Sequence, residues 1–163
     1  MAESAGGRPD ADPTRLVADA DVLAADLLVG GAARAALDEV RRHSWLTLVA
    51  SDALLDDAEW VIADLADEAL AADWRERTEA ERERVEQAAG DHPGLASAVA
   101  GGAAHLLTLE GDLGTARSNL ALQPHVRLSV RTPDAVVATF DAESLYEATH
   151  DGEYPGPDRD PRG

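Results

Sequence analysis

The sequence predicts an α/β protein: a three-layer α/β/α sandwich around a central, mainly parallel sheet of four to five strands. Three observations carry this expectation. Short apolar runs of strand length alternate with stretches whose apolar residues recur at helical spacing, and strands separated by helices pair in parallel. Hydrophobic residues make up 45% of the 163-residue chain, enough for one substantial core. From residue 14 to 149 the pattern runs without a Gly/Pro-rich linker or an internal repeat, which predicts a single domain.

The elements follow in order. Residues 1–13, MAESAGGRPDADP, are polar and are expected to form a disordered N-terminal tail; with no apolar h-region they do not read as a signal peptide. Arg15 to Ala18 is a short strand. Residues 20–43 follow as helix, bent or broken at Gly30–Gly31, with Leu23, Leu27, Leu28, Leu37 and Val40 facing inward. WLTLVA (45–50) is a second strand, after which Ser51 or Asp52 caps a helix carrying Leu54, Leu55, Ala58, Val61, Ile62, Leu65, Ala69 and Leu70 at helical spacing. WRERTEAERERVEQAA (74–89) reads as a charged, solvated helix closed by Gly90. Another helix begins at DHPG, with Pro93 suited to a first turn. AHLLTL (104–109) is a third strand, followed by the loop EGDLG and a short helix to about Leu122. HVRLSV (125–130) is a fourth strand, and TPDAVVATFDAESLYEA (132–148) a closing helix. Residues 150–163, rich in Gly, Pro and Asp, are expected to be a disordered C-terminal tail.

Composition narrows the chemistry. There are 32 acidic and 14 basic side chains, every basic one an arginine, giving a net charge of −18 and a pI near 4.4. This acidic, alanine- and valine-rich, lysine-free composition resembles that of proteins from extreme halophiles, haloarchaea in particular. In molar salt the Debye length is about 3 Å, so repulsion across such a surface is screened. In dilute buffer the same charge is expected to destabilise the compact state. The absence of cysteine excludes disulfides, thiol catalysis and zinc-finger sites. No apolar run reaches the roughly 18 residues of a membrane span, so a soluble, cytoplasmic protein without a membrane partner is expected.

In open parallel sheets, ligands collect beyond the carboxyl ends of the strands. Asp19 ends the first strand, with Asp21 close behind. Asp56 and Asp57 lie one turn into the helix after the second strand, Asp91 starts the helix before the third, and Glu110 and Asp112 follow the third. Acids from four separated segments are thereby expected at one edge of the sheet. Crowded carboxylates repel and raise one another's pKa. With no lysine, their natural neutraliser is a hard divalent cation such as Mg²⁺ or Mn²⁺, an ion type that serves phosphodiester chemistry.

Here the chain resembles the PIN domains, a family of metal-dependent ribonucleases. RLVADADVL resembles the family's opening strand, whose end carries the first catalytic aspartate; that position is Asp19. LVASDALLDDAEWVI resembles its second segment, where Asp57 fits the acid best and Asp56 is the neighbouring choice. DHPGLASAVAGGAAHLLTLEGDL resembles the long signature of an Asp-led helix of small residues, a strand and Thr-x-acid-x-Asp, at Asp91, Thr108, Glu110 and Asp112. HVRLSVRTPDAVVATF resembles the final strand and Thr-Pro helix, so the similarity spans about residues 15–148. Two departures stand out: Glu110 occupies a position that is usually Asp, and Asp57 one that is commonly Glu. The resemblance implies a PIN-like fold and hydrolysis of RNA. Asp19, Asp57, Asp91 and Glu110 would be catalytic, and together with Asp112 would hold one or two Mg²⁺ or Mn²⁺ ions that activate water. It leaves open an antitoxin-like protein partner and a homodimer.

Blander roles compete at several positions. Asp21 suits the positive end of a helix, and Asp91 can cap one ahead of Pro93. Thr108 can serve packing alone, and Asp26 reads as surface. His43, His92, His105, His125 and His150 are scattered without metal-ligand spacing. Arg34, Arg41, Arg42 and Arg117 are the candidates for phosphate contacts, with Asn119 beside Arg117. Two other functions are weighed against the ribonuclease. One is a catalytically inactive PIN-like interaction module. The other is a phosphatase of the haloacid dehalogenase type, suggested by DADVL but lacking the lysine that balances its phospho-aspartate.

Overall fold

The computed structural model of the chain describes residues 11–86, 92–109 and 128–161. Strand β1 (Asp12–Ala18) leads through Asp19 into helix α1 (Ala20–Leu28). The chain then reverses at Gly30 and Gly31, both at positive φ (88° and 55°), where side-chain-bearing residues are strained, and helix α2 (Gly31–Arg41) begins. Strand β2 (Thr47–Ser51) is followed by α3 (Asp52–Leu65), α4 (Glu68–Glu81) and strand β3 (Arg82–Val85). Helix α5 (Pro93–Gly101), strand β4 (Ala103–Leu107), strand β5 (Ser129–Arg131), α6 (Pro133–Thr139) and α7 (Ala142–Thr149) complete the described chain.

The five strands form one all-parallel sheet in the order β3-β2-β1-β4-β5, flanked by helices as a three-layer α/β/α sandwich. The chain runs outward from β1 to β3 and then crosses back to β4. The sheet therefore changes direction of growth between β1 and β4, where Ala18 is in register with Leu107. Val17, Ala18, Val49, Ala50, Leu106 and Leu107 form the buried floor of the core, with Leu54, Leu55, Ile62 and Trp74 packed around it. Helix α5 is built from small residues because it lies very close to the sheet. A Cβ on Gly101 would stand 2.4 Å from Cγ1 of Val49, so alanine there would force β2 and α5 apart.

Several boundaries differ from the sequence expectation. The helix expected at 74–89 is α4 only to Glu81, after which Arg82–Val85 pair in register with Leu48–Ser51 of β2. Arg and Glu favour a helix locally, but the open edge of β2 offers a ladder of backbone partners and wins. Alternation in the new strand sorts its charges. Arg82 and Arg84 reach Asp52 at 2.6 and 2.8 Å, while Glu83 pairs with Arg15. The break between the two preceding helices falls at Ala66–Asp67, where Asp67 caps α4 through the Leu70 amide (2.7 Å). The single closing helix is two, because Asp141 accepts from the Ser144 amide (3.2 Å) and starts a new cap.

The C-terminal segment, expected as a disordered tail, makes defined contacts through residue 159. Nδ1 of His43 donates to the Glu39 carbonyl (2.7 Å), which leaves Nε2 to accept from the Tyr154 hydroxyl (2.6 Å). Asp158 accepts from the Ser44 amide (2.7 Å), and the Arg42 carbonyl accepts from the Asp158 amide (2.9 Å). These are polar and backbone contacts, which leave no periodic apolar signal in sequence. Among the described residues no helix is long and apolar enough to cross a membrane. Residues 1–10 and the helix expected up to Leu122 lie outside the described residues.

The β3 edge predicts an acid-sensitive step. Hydrogen bonds from Arg84 and Arg82 hold the Asp52 carboxyl well below its usual range; Arg75 and Arg82 do the same for Glu79, and Arg15 for Glu83. Groups with depressed folded-state pKa values contribute stability above their unfolded pKa, near pH 4, and that contribution is lost as pH falls toward the folded values. The thermal midpoint at fixed salt is therefore expected to drop below about pH 4, and Asp52→Asn to flatten part of that fall. A profile unchanged by the substitution would show that Asp52 carries none of the linkage.

Candidate functional site

The carboxyl ends of β1 and β4 meet at the point where the sheet reverses, the usual position of a ligand crevice in this architecture. One residue beyond the ladder, the Asp19 amide donates to the Leu107 carbonyl (2.8 Å). Asp19 then leaves strand geometry and caps α1, its Oδ1 accepting from the Ala20 amide at 2.9 Å. Its side chain is buried, with the residue 6% exposed. Asp21 sits in the first turn of α1, and its Oδ2 accepts from the Leu109 amide at 3.0 Å. Thr108, buried at the end of β4, places its hydroxyl 3.4 Å from Oδ2 of Asp19 and 3.5 Å from Oδ2 of Asp21. One hydroxyl proton serves one acceptor at a time, so Thr108 spans the two carboxylates.

The start of α5 closes on this pair from the side. His92 caps that helix, its Nδ1 accepting from the Leu95 amide at 3.4 Å, so a neutral ring carries its proton on Nε2. That nitrogen stands 3.7 Å from Oδ2 of Asp19. Gly94 allows the approach: a Cβ there would lie 3.0 Å from Oδ1 of Asp19 and 3.3 Å from the His92 ring. Beneath, the buried Ser97 hydroxyl accepts from the Ser51 amide (3.1 Å) and donates to the Ser51 hydroxyl (3.0 Å), which itself caps α3. This link fixes α5 against the start of α3.

An open cleft of about 420 Å³ lies over these groups, lined by Asp19, Asp21, Asp57, Trp60 and His92 among others. The pair Asp56–Asp57 separates cleanly. Asp57 faces the cleft, whereas Asp56 pairs with Arg75 of α4 at 2.8 Å. Asp91, Glu110 and Asp112 lie outside the described residues, as do Arg117, Asn119 and His125. Among the described residues no group of three or more His, Asp or Glu side chains is gathered closely enough to hold a metal ion. What these residues do supply is a pair of carboxylates and a hydroxyl, all hard oxygen donors of the kind that Mg²⁺ and Mn²⁺ accept.

Two sequence readings change. Asp26, read as surface, is buried between α1 and α2, where Arg41 grips it with both terminal nitrogens, Nη1 at 2.9 Å from Oδ1. Burial lowers the pKa of Arg41, but its hydrogen bonds to Asp26 and Asp38 and the charge of Glu81 outweigh this and hold it above the ordinary value. The described arginines among those proposed for phosphate contact, Arg34, Arg41 and Arg42, are engaged within the fold. Arg34 donates to the carbonyls of Asp26 and Leu27 at the end of α1 (3.0 and 3.1 Å), and Arg42 lies 3.8 Å from Glu39.

His92, Gly94 and Trp60 escape sequence reasoning. The signal for the first two was the order His-Pro-Gly after an acid, a helix start whose cap is itself a titratable ring. The other described histidines lie away from the cleft lining. His43 is bonded as above, His150 stacks on Tyr146 at 4.4 Å, and burial, then Arg131, hold His105 below its usual pKa.

A family model described as a family of unknown function (DUF7384) matches residues 10–162. No curated protein and no solved structure matches the chain.

Proposed function

We propose that this chain, which belongs to the DUF7384 family of unknown function, is a metal-dependent ribonuclease of the PIN type. The observation that supports this best is the pair of carboxylates, Asp19 and Asp21, spanned by the Thr108 hydroxyl at the mouth of the β1–β4 switch point, with Asp57 lining the same open cleft. The sheet order and the resemblance of the intervening segments support it further. On this reading Asp19, Asp57, Asp91 and Glu110, with Asp112, form the acidic centre for Mg²⁺ or Mn²⁺. Such an ion, when bound, supplies an activated water and charge stabilisation on the phosphoryl oxygens.

The chain's own residues prepare that chemistry. Asp19 is held by its cap bond and by Thr108, which limits its rotation. His92, whose neutral ring carries its proton on Nε2, stands beside the Asp19 carboxylate, with that nitrogen 3.7 Å from Oδ2. Asp21 is tied to the Leu109 amide, which couples the acid to the start of the segment carrying Glu110. The proposed setting is the cytoplasm of a salt-accumulating cell, with RNA as substrate.

The deciding experiment is a calorimetric titration of Mn²⁺ into the purified chain in molar KCl, run beside an RNA-cleavage assay. Metal binding together with metal-dependent cleavage is the expected result. Metal binding without cleavage would favour the inactive interaction module, and dephosphorylation of small phosphate esters would favour the phosphatase.

Gly94→Ala is expected to test the fit of α5 on Asp19. The added Cβ displaces the carboxylate by a few tenths of an ångström, and cleavage is expected to fall about tenfold or more while the thermal midpoint holds. Single-turnover rates and melting curves measure the two effects. Unaltered rates would mean that the Asp19 position is not critical.

A further inference from the structure

We infer that the Trp60 indole is a stacking platform that holds a nucleobase of the substrate at the mouth of the cleft. The inference rests on the ribonuclease reading and adds to it the residue that grips the base. Trp60 lines the same cleft as Asp19 and Asp57, yet it is 68% exposed, while Trp74 is 2% exposed in the core. Long side chains on a helix lean toward its N-terminus and cover the preceding turn. In α3 that turn carries Asp57 and leads back to Ser51 at the carboxyl end of β2. The indole therefore offers an open π-face beside the acids.

Charge points the same way. The chain carries −18, and Arg34, Arg41, Arg75, Arg82 and Arg84 all donate to carbonyls or carboxylates within the fold. A polyanion gains little attraction from arginines so engaged, and in concentrated salt the release of counterions contributes little as well. Stacking draws on dispersion and desolvation, is not weakened by screening, and accepts any base because every base has a π-face. A protein of this charge that binds RNA needs such a salt-resistant contact. Trp60 supplies one within the cleft itself.

The test measures binding of a short fluorescein-labelled oligoadenylate ribonucleotide to the full chain carrying Asp19→Asn, in molar KCl with Mg²⁺, with and without Trp60→Ala or Trp60→Phe. An abasic ribose-phosphate oligomer serves as the control ligand. The expected result is about a tenfold loss of affinity with alanine, retention with phenylalanine, and weak binding of the abasic oligomer that ignores residue 60. Tryptophan fluorescence should be quenched by oligoadenylate only where Trp60 is present. Because the indole is exposed, the alanine variant is expected to fold, and its circular dichroism and melting curve check that.

RNA binding that is indifferent to Trp60→Ala, with cleavage by the Asp19-containing chain intact, would overturn the stacking role and leave the ribonuclease reading standing. A change in sedimentation mass on Trp60→Ala without a change in RNA affinity would also overturn it, assigning the indole to contact with a second copy. Failure of the unsubstituted chain both to bind and to cleave RNA would overturn both readings.

Discussion

Asp19→Asn is expected to reduce metal-dependent RNA cleavage about a thousandfold while leaving the fold intact. The first half follows from charge. An amide cannot neutralise a divalent ion, and loss of about 4 kcal/mol of stabilisation at a phosphoryl centre corresponds to three orders of magnitude in rate. The second half follows from capping. Oδ1 of Asp19 accepts from the Ala20 amide, and asparagine caps a helix about as well as aspartate. Cleavage in molar KCl with Mn²⁺, read beside the melting curve, separates the two effects. Full cleavage by the variant would remove Asp19 from the mechanism. Loss of both cleavage and fold would make it a structural acid.

The second large effect concerns stability. Asp26→Ala is expected to cost about 3–5 kcal/mol, because it leaves the guanidinium of Arg41, only 16% exposed, without its principal partner. Asp38 stays within 3.0 Å of Arg41 and softens the loss toward the lower end of that range. Replacing both partners, as in Asp26→Leu with Arg41→Met, is expected to be far milder than either truncation alone, since no buried charge is stranded. Denaturant unfolding of the two single variants and the pair measures the coupling. Additive losses would show that the two side chains do not act as a unit.

Much of the fold is legible in the chain. The carboxyl-terminal halves of β1, β2 and β4 are buried, and buried parallel strands read as apolar runs such as LVA. The glycine pair that separates α1 from α2 is equally plain, because positive φ favours glycine. Strand β3 is not legible. Arg-Glu-Arg-Val is strand only because β2 presents an unpaired edge, and the arginines find Asp52 at a distance of thirty residues or more in sequence. The same holds for the C-terminal segment, whose hold on the fold is a few polar bonds to Arg42, His43 and Ser44.

The candidate site divides along a similar line. Asp19 can be placed from sequence because an acid that ends a buried strand has one position relative to the sheet. Asp57 can be favoured over Asp56 by resemblance, but the physical reason appears only in space, where Arg75 claims Asp56. Trp60 carries no sequence signal and His92 only the weak one of a histidine before Pro-Gly, because a lone histidine at a helix start and a lone tryptophan on an acidic helix have many ordinary roles. Packing of α5 against the sheet and α3 brings His92 to the cleft that Trp60 of α3 also lines.

By itself, then, the sequence determined the layers, the parallel strands and the acid at the end of β1, since burial and strand ends are local properties of a chain. Only the tertiary structure decided which carboxylates are partnered by arginine and which remain at the cleft. The physical reason is that a charge's role depends on its nearest opposite charge, and for Asp26, Asp52 and Asp56 that partner lies on another element.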